Sequence, residues 1–161
     1  MASRTGQRTL DAGDRSPDFW MRDLDGNSRT LAEFLAQGPT LLVLFKVSCP
    51  TCQFTLPFLE RLRGGGLQIV GICQDPADWA AEFTAEFGLS FPTLIDEAGE
   101  QYPVSTAFGI THVPSLFLVQ PDRTISWTAV GFSRKGLQEL ATLAGKAALR
   151  DGEFVPEWKS G

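Results

Sequence analysis

Apolar and polar positions along the chain fall into short blocks of two periods, one of two residues and one near 3.6. Phe19 to Leu24 and Ser28 to Thr30 read as strands around the turn signal Asp25-Gly26-Asn27, which predicts a β-hairpin. Thr30 and Glu33 stand at capping-box spacing ahead of Leu31, Phe34 and Leu35, so a short helix is expected up to Gly38-Pro39. The apolar run Thr40 to Val47 then predicts a buried strand. At Cys52 the period changes, with Leu56, Leu59 and Leu62 on one helical face until Gly64-Gly65-Gly66.

Leu67 to Cys73 is a second run of strand length, rich in Ile and Val. Asp75-Pro76 supplies an N-cap and first-turn proline for a helix carrying Trp79, Phe83 and Phe87, which Gly88 ends. A strand at Thr93 to Ile95 and a helical turn at Ser105 to Phe108 follow. Strands Ser115 to Val119 and Thr124 to Val130 flank the turn Gln120-Pro121-Asp122-Arg123. Ser133 caps a last helix whose apolar stripe is Leu137, Leu140, Ala141, Ala144 and Ala148. Strands joined through helices imply parallel crossovers, and the closing hairpin adds an antiparallel pair, so the expected fold is α/β with a mixed central sheet flanked by helices.

At 161 residues one domain is expected, spanning 16–149 between a flexible N-terminus at 1–15 and a C-terminal tail at 150–161. Phe154 and Trp158 in that tail suggest docking on the surface or on a partner. Fourteen basic against 19 acidic residues, with no Lys/Arg block, argue against nucleic acid or an anionic membrane as partner. The apolar run near position 41 is far shorter than the ~20 residues of a membrane span. The first 13 residues hold no apolar signal-peptide core, and an uneven count of three cysteines suits a reducing compartment, so a cytoplasmic monomer is expected.

The chemistry concentrates at Cys49-Pro50-Thr51-Cys52, where a strand meets a helix. The first sulfur of such a pair sits at the helix N-terminus, where free N–H groups and the macrodipole favour a thiolate. Cys49 is thus the expected attacking thiol and Cys52 the resolving one, within reach of a disulfide. Zinc would need four ligands, and only Cys73 and His112 remain. A dithiol–disulfide couple with no metal or organic cofactor is the expectation, tuned by Pro50 and Thr51 and serving protein or small-molecule disulfides together with an electron donor. Cys73 reads either as a small buried hydrophobe or as an auxiliary thiol, and His112 as an ordinary loop side chain. Phe45, Phe54, Phe58 and Trp79 are expected in the core.

The chain resembles the thioredoxin superfamily, and within it the TlpA-like thiol-disulfide oxidoreductases of the wider redoxin and peroxiredoxin-like group. The likeness runs from Gly13-Asp14-Arg15-Ser16-Pro17-Asp18-Phe19 to about Ala148, and rests on Cys49-Pro50-Thr51-Cys52 and on the segment Phe108 to Val119. It implies a thioredoxin-like fold with an N-terminal β-hairpin extension. It also implies a cis peptide bond before Pro114, with Val113 offering strand-like hydrogen bonds to a substrate.

The departures are informative. Thioredoxins place a buried carboxylate six residues before the first cysteine, where this chain has Val43, and many TlpA-like proteins place a glutamate three after the second, where it has Thr55. The proton of the resolving thiol must therefore pass to water or to another acid. A tryptophan usually precedes the first cysteine; here it is Ser48. Two rival functions follow. A thiol peroxidase of the peroxiredoxin type needs a Thr or Ser three residues before its cysteine and a proline four further back, where Cys49 has Lys46 and Leu42, and Cys52 has Cys49 and Phe45. A Cu(I) chaperone would use thiolates and His112, but the copper-binding relatives space their cysteines C-x-x-x-C, where this chain has C-x-x-C.

Overall fold

A computed structural model describes residues 8–161. In chain order it contains β1 (Trp20–Asp23), β2 (Ser28–Thr30), α1 (Leu31–Leu35), β3 (Thr40–Phe45), α2 (Pro50–Glu60), β4 (Gln68–Cys73), α3 (Ala77–Phe87) and β5 (Thr93–Ile95). A 3-10 turn (Ala98–Glu100) leads to α4 (Pro103–Phe108), β6 (Ser115–Val119), β7 (Ile125–Val130), β8 (Phe132–Ser133), α5 (Arg134–Ala144) and β9 (Trp158–Lys159).

Seven strands form one mixed sheet in the order β2-β1-β5-β4-β3-β6-β7. β3, β4 and β5 are parallel, with Phe45 opposite Cys73 and Cys73 opposite Ile95. β6 runs antiparallel to β3, so Ser115 lies opposite Leu44. The expected N-terminal hairpin is present and pairs with β5 through β1. The carboxyl ends of the parallel strands and the start of β6 therefore share one end of the sheet.

Alternation along β3 divides the core. Leu41, Val43 and Phe45 pack with α2, α3 and α5 on one face; Leu42 and Leu44 pack with α1 and α4 on the other. Each Leu or Phe so buried is worth roughly 2 kcal/mol of transfer free energy. The capping box at Thr30 and Glu33 forms, and Ser133 caps α5 through the Gly136 N–H.

Several expectations shift. β3 ends at Phe45 rather than Val47, because the Val47 N–H bonds the Asp75 carboxylate instead of a neighbouring strand. For the same reason Asp75 does not cap α3; Pro76 takes that position, with no side-chain bond. Trp79 is 56% exposed while Phe83 is buried, since a four-residue step advances about 40° beyond a full turn and carries one end of the stripe out to solvent. Of the N-terminus expected to be flexible, residues 1–7 lie outside the described part. Residues 8–15 are tied down: the Leu10 N–H donates to Phe108 O at 2.9 Å, the Thr9 hydroxyl to Gly109 O at 2.6 Å, and the Ile125 N–H to Asp14 O at 2.8 Å.

The tail folds back on the domain. Val155 is buried, and Glu153 makes a two-pronged ion pair with Arg61 at 2.7 and 2.8 Å. β9 then pairs antiparallel with β8, Phe132 opposite Lys159 and Ser133 opposite Trp158. Among the described residues no helix is long and apolar enough to cross a membrane.

Candidate active site

The tight turn after β3 delivers Cys49 to the N-cap of α2. Its Sγ accepts a hydrogen bond from the Cys52 N–H at 3.0 Å, the position a capping oxygen takes in other helices. Pro50 at the first helical position costs no hydrogen bond, because that N–H would be unpaired in any helix. The Gln53 amide donates to Val47 O at 2.9 Å and holds the loop from the helix side. Cys49 is partly exposed, whereas Cys52 is fully buried.

Burial pushes the Cys52 thiol well above the usual thiol range, with its interaction with Cys49 adding to the effect and a backbone hydrogen bond at Lys46 opposing it. The two sulfurs thus differ in kind. One is accessible and caps the helix; the other is a buried, protonated thiol one helical turn in.

The Val113–Pro114 peptide bond is cis. This loop meets the cysteine pair directly, since the Cys49 thiol lies 3.5 Å from Val113 O in donating geometry. The loop is braced by the Ser115 hydroxyl, which donates to His112 O at 2.6 Å, and by the Gly131 N–H, which donates to Pro114 O at 2.9 Å. His112 itself is exposed and bonds only locally, 2.9 Å from the Thr111 hydroxyl. Cys49, Cys52 and Val113 therefore come together, with cis Pro114 next in the loop, and Thr51 lies between the two cysteines in the first turn of α2.

Cys73 ends β4 beneath this site, and negative charge on it would push the Cys52 thiol up further. It is buried, with its thiol pushed up to about 12 chiefly by burial and further by the neighbouring Asp75 carboxylate, against the pull of the Asp75 N–H. That N–H donates to Cys73 Sγ at 3.4 Å, and the thiol reaches Asp75 Oδ2 at 3.8 Å. Asp75 stands two residues past the end of the strand beside β3, and its carboxylate turns to the Val47 N–H and the Cys73 thiol, a role that the helix-cap spacing of Asp75-Pro76 conceals. Val43 and Thr55 are buried, and the Thr55 hydroxyl has no hydrogen-bond partner; it borders a cavity of about 20 Å³ shared with Leu116 and Leu137. A larger cavity of about 680 Å³ lies along β1 and α4, lined by Met21, Ile95 and Val104 and by none of the cysteines. Among the described residues no three His, Cys, Asp or Glu side chains gather as a metal-ligand set.

Comparison with known proteins agrees with this geometry. The thiol-disulfide oxidoreductase ResA of Bacillus thuringiensis is 27% identical over 123 residues, 73% of this chain and 69% of ResA. A Mycobacterium tuberculosis protein provisionally named a peroxiredoxin is 36% identical over 106 residues, 62% of this chain and 64% of its own length. The thioredoxin domain of a thiol-disulfide oxidoreductase from Bacteroides vulgatus superposes with a TM-score of 0.74 at 19% identity, covering 84% of this chain and 99% of that structure. Fold, cysteine pair and relatives make the protein a thiol-disulfide oxidoreductase of the thioredoxin type, and since the AhpC/TSA family model matches residues 12–128, the chain belongs to the AhpC/TSA family.

Proposed function

We propose that Cys49 attacks and Cys52 resolves in dithiol–disulfide exchange with protein or small-molecule disulfides. The Cys49 thiolate attacks one sulfur of a substrate disulfide, that S–S bond breaks, and the other substrate sulfur leaves as a thiolate. Cys52 then gives up its proton and attacks Cys49 Sγ, releasing the second substrate thiol and leaving a Cys49–Cys52 disulfide. An external dithiol donor returns the pair to its reduced form. Val113 presents its backbone beside Cys49 for a substrate strand, and Pro114 forms the floor against the pair.

The observation that carries this reading is the 3.0 Å hydrogen bond from the Cys52 N–H to Cys49 Sγ, which couples the two residues and fixes the accessible sulfur at the helix N-terminus. The test is mutational. Cys49→Ser should lose exchange, and Cys52→Ser should accumulate a mixed disulfide visible by mass; full activity in Cys49→Ser would overturn the assignment. The midpoint of the couple in thiol redox buffers sets the direction of flow: about −270 to −200 mV for a reductant, about −120 mV for an oxidant.

A further inference from the structure

We propose that residues 158–161 occupy the cleft in which a substrate polypeptide docks and thereby discriminate against protein disulfides in favour of small ones. This rests on the reading of Val113 and the cysteine pair as the exchange site. The segment runs beside that site, its first two residues as β9. Thr51, between the two cysteines, donates its hydroxyl to Ser160 O at 2.6 Å and is left only 8% exposed. Gly161 lies against the cis-proline loop so closely that a Cβ there would sit 2.5 Å from Val113 O and 3.4 Å from His112 Cβ. Lys159 O rests on Gly131, whose φ of +73° and missing side chain permit the approach; a Cβ on Gly131 would collide with that oxygen. The Lys159 ammonium lies 5.4 Å from the centre of the Phe54 ring.

The segment is anchored firmly before the cleft and lightly across it. Up to Glu157 it is fixed by buried Val155, by the Arg61–Glu153 pair, and by the Arg134 N–H donating to Glu157 O at 2.9 Å. From Trp158 on, every residue is exposed, Trp158 itself at 60%, and the pairing with β8 spans two residues. Few buried apolar contacts and exposed backbone bonds give low local stability, so these four residues can lift away while the rest of the tail stays docked. An extended polypeptide needing Val113 must displace them. A small disulfide need not, because Cys49 stays partly exposed with the segment in place.

The experiment compares the full chain with one ending at Glu157, each reduced by dithiothreitol and assayed with insulin and with a small aromatic disulfide. If the cleft is open about a tenth of the time, removing the segment raises kcat/KM for insulin about tenfold and leaves the small disulfide within about twofold. A synthetic peptide of residues 157–161 added to the shortened chain should slow insulin reduction selectively. An unchanged or lower insulin rate in the shortened chain, or an equal rise with both substrates, overturns the proposal while leaving exchange at Cys49 intact. Failure of the full chain to reduce either disulfide overturns both.

Discussion

The Val47 N–H donates to Asp75 Oδ2 at 2.8 Å, so the loop that carries Cys49 hangs from a carboxylate at the end of the neighbouring strand. A charged acceptor on a half-buried amide is worth more than a neutral one. Asp75→Ala should lower stability by about 1–2 kcal/mol and slow exchange by letting the loop drift, as read by denaturant melts beside insulin turnover. Asp75→Asn, which keeps an acceptor oxygen, should recover most of the stability.

Thr55 offers a test with the opposite sign. Its hydroxyl is buried without a partner, so replacing it by the isosteric Val removes an unmet hydrogen-bonding group and keeps the shape. Thr55→Val should be stabilising by roughly 1 kcal/mol, seen as a higher Tm. A fall in Tm would mean that an ordered water in the adjoining cavity satisfies the hydroxyl.

Cys73 should be inert. With its thiol at about 12, only about one molecule in ten thousand carries the Cys73 thiolate at pH 8. Iodoacetamide on the folded, reduced protein should label Cys49 long before Cys73, and peptide mapping after oxidation should find Cys49 joined to Cys52 alone. A Cys73 disulfide would make it an auxiliary thiol.

The Arg61–Glu153 pair gives the tail a pH dependence. Arg61, first through its hydrogen bonds, lowers the Glu153 carboxyl from its ordinary 4.5 to about 2. A carboxyl lowered by folding stabilises above its unfolded value and loses that contribution as the pH falls toward its folded one. Glu153→Gln should therefore melt below the parent chain at pH 7, and the difference should vanish near pH 2.

Local signals carried most of the fold. Each strand of the seven-stranded sheet is short enough for its own pattern to mark it, and the Thr30–Glu33 capping box and Ser133 cap act within four residues of chain, so a sequence window contains the whole interaction. Cys49 and Cys52 were legible for the same reason. What stayed hidden depends on contacts between distant segments. Asp75 has the residue type and spacing of a helix cap, and only the proximity of Val47, 28 residues earlier, turns its carboxylate elsewhere. Trp79 has core periodicity, and its exposure is set by where α3 meets the sheet. The bond from Thr51 to Ser160 spans 109 residues, and the two-residue β9 carries no apolar alternation that could announce it.

The sheet register also says which turns lie away from the sulfurs. Thr40 pairs with Gln68 and with Val119, so the turns at Gly38-Pro39, Gly64 to Gly66 and Gln120 to Arg123 all gather at the edge remote from Cys49. Of these, Gly65 and Gly66 are wedged against the Ala144 and Leu143 carbonyls and have no room to spare, whereas Pro121 and Asp122 are exposed. A reporter or tether grafted at Pro121-Asp122 would ride on the surface a full strand length from the sulfurs, making that turn the natural handle for attaching the protein to a support or a fluorophore.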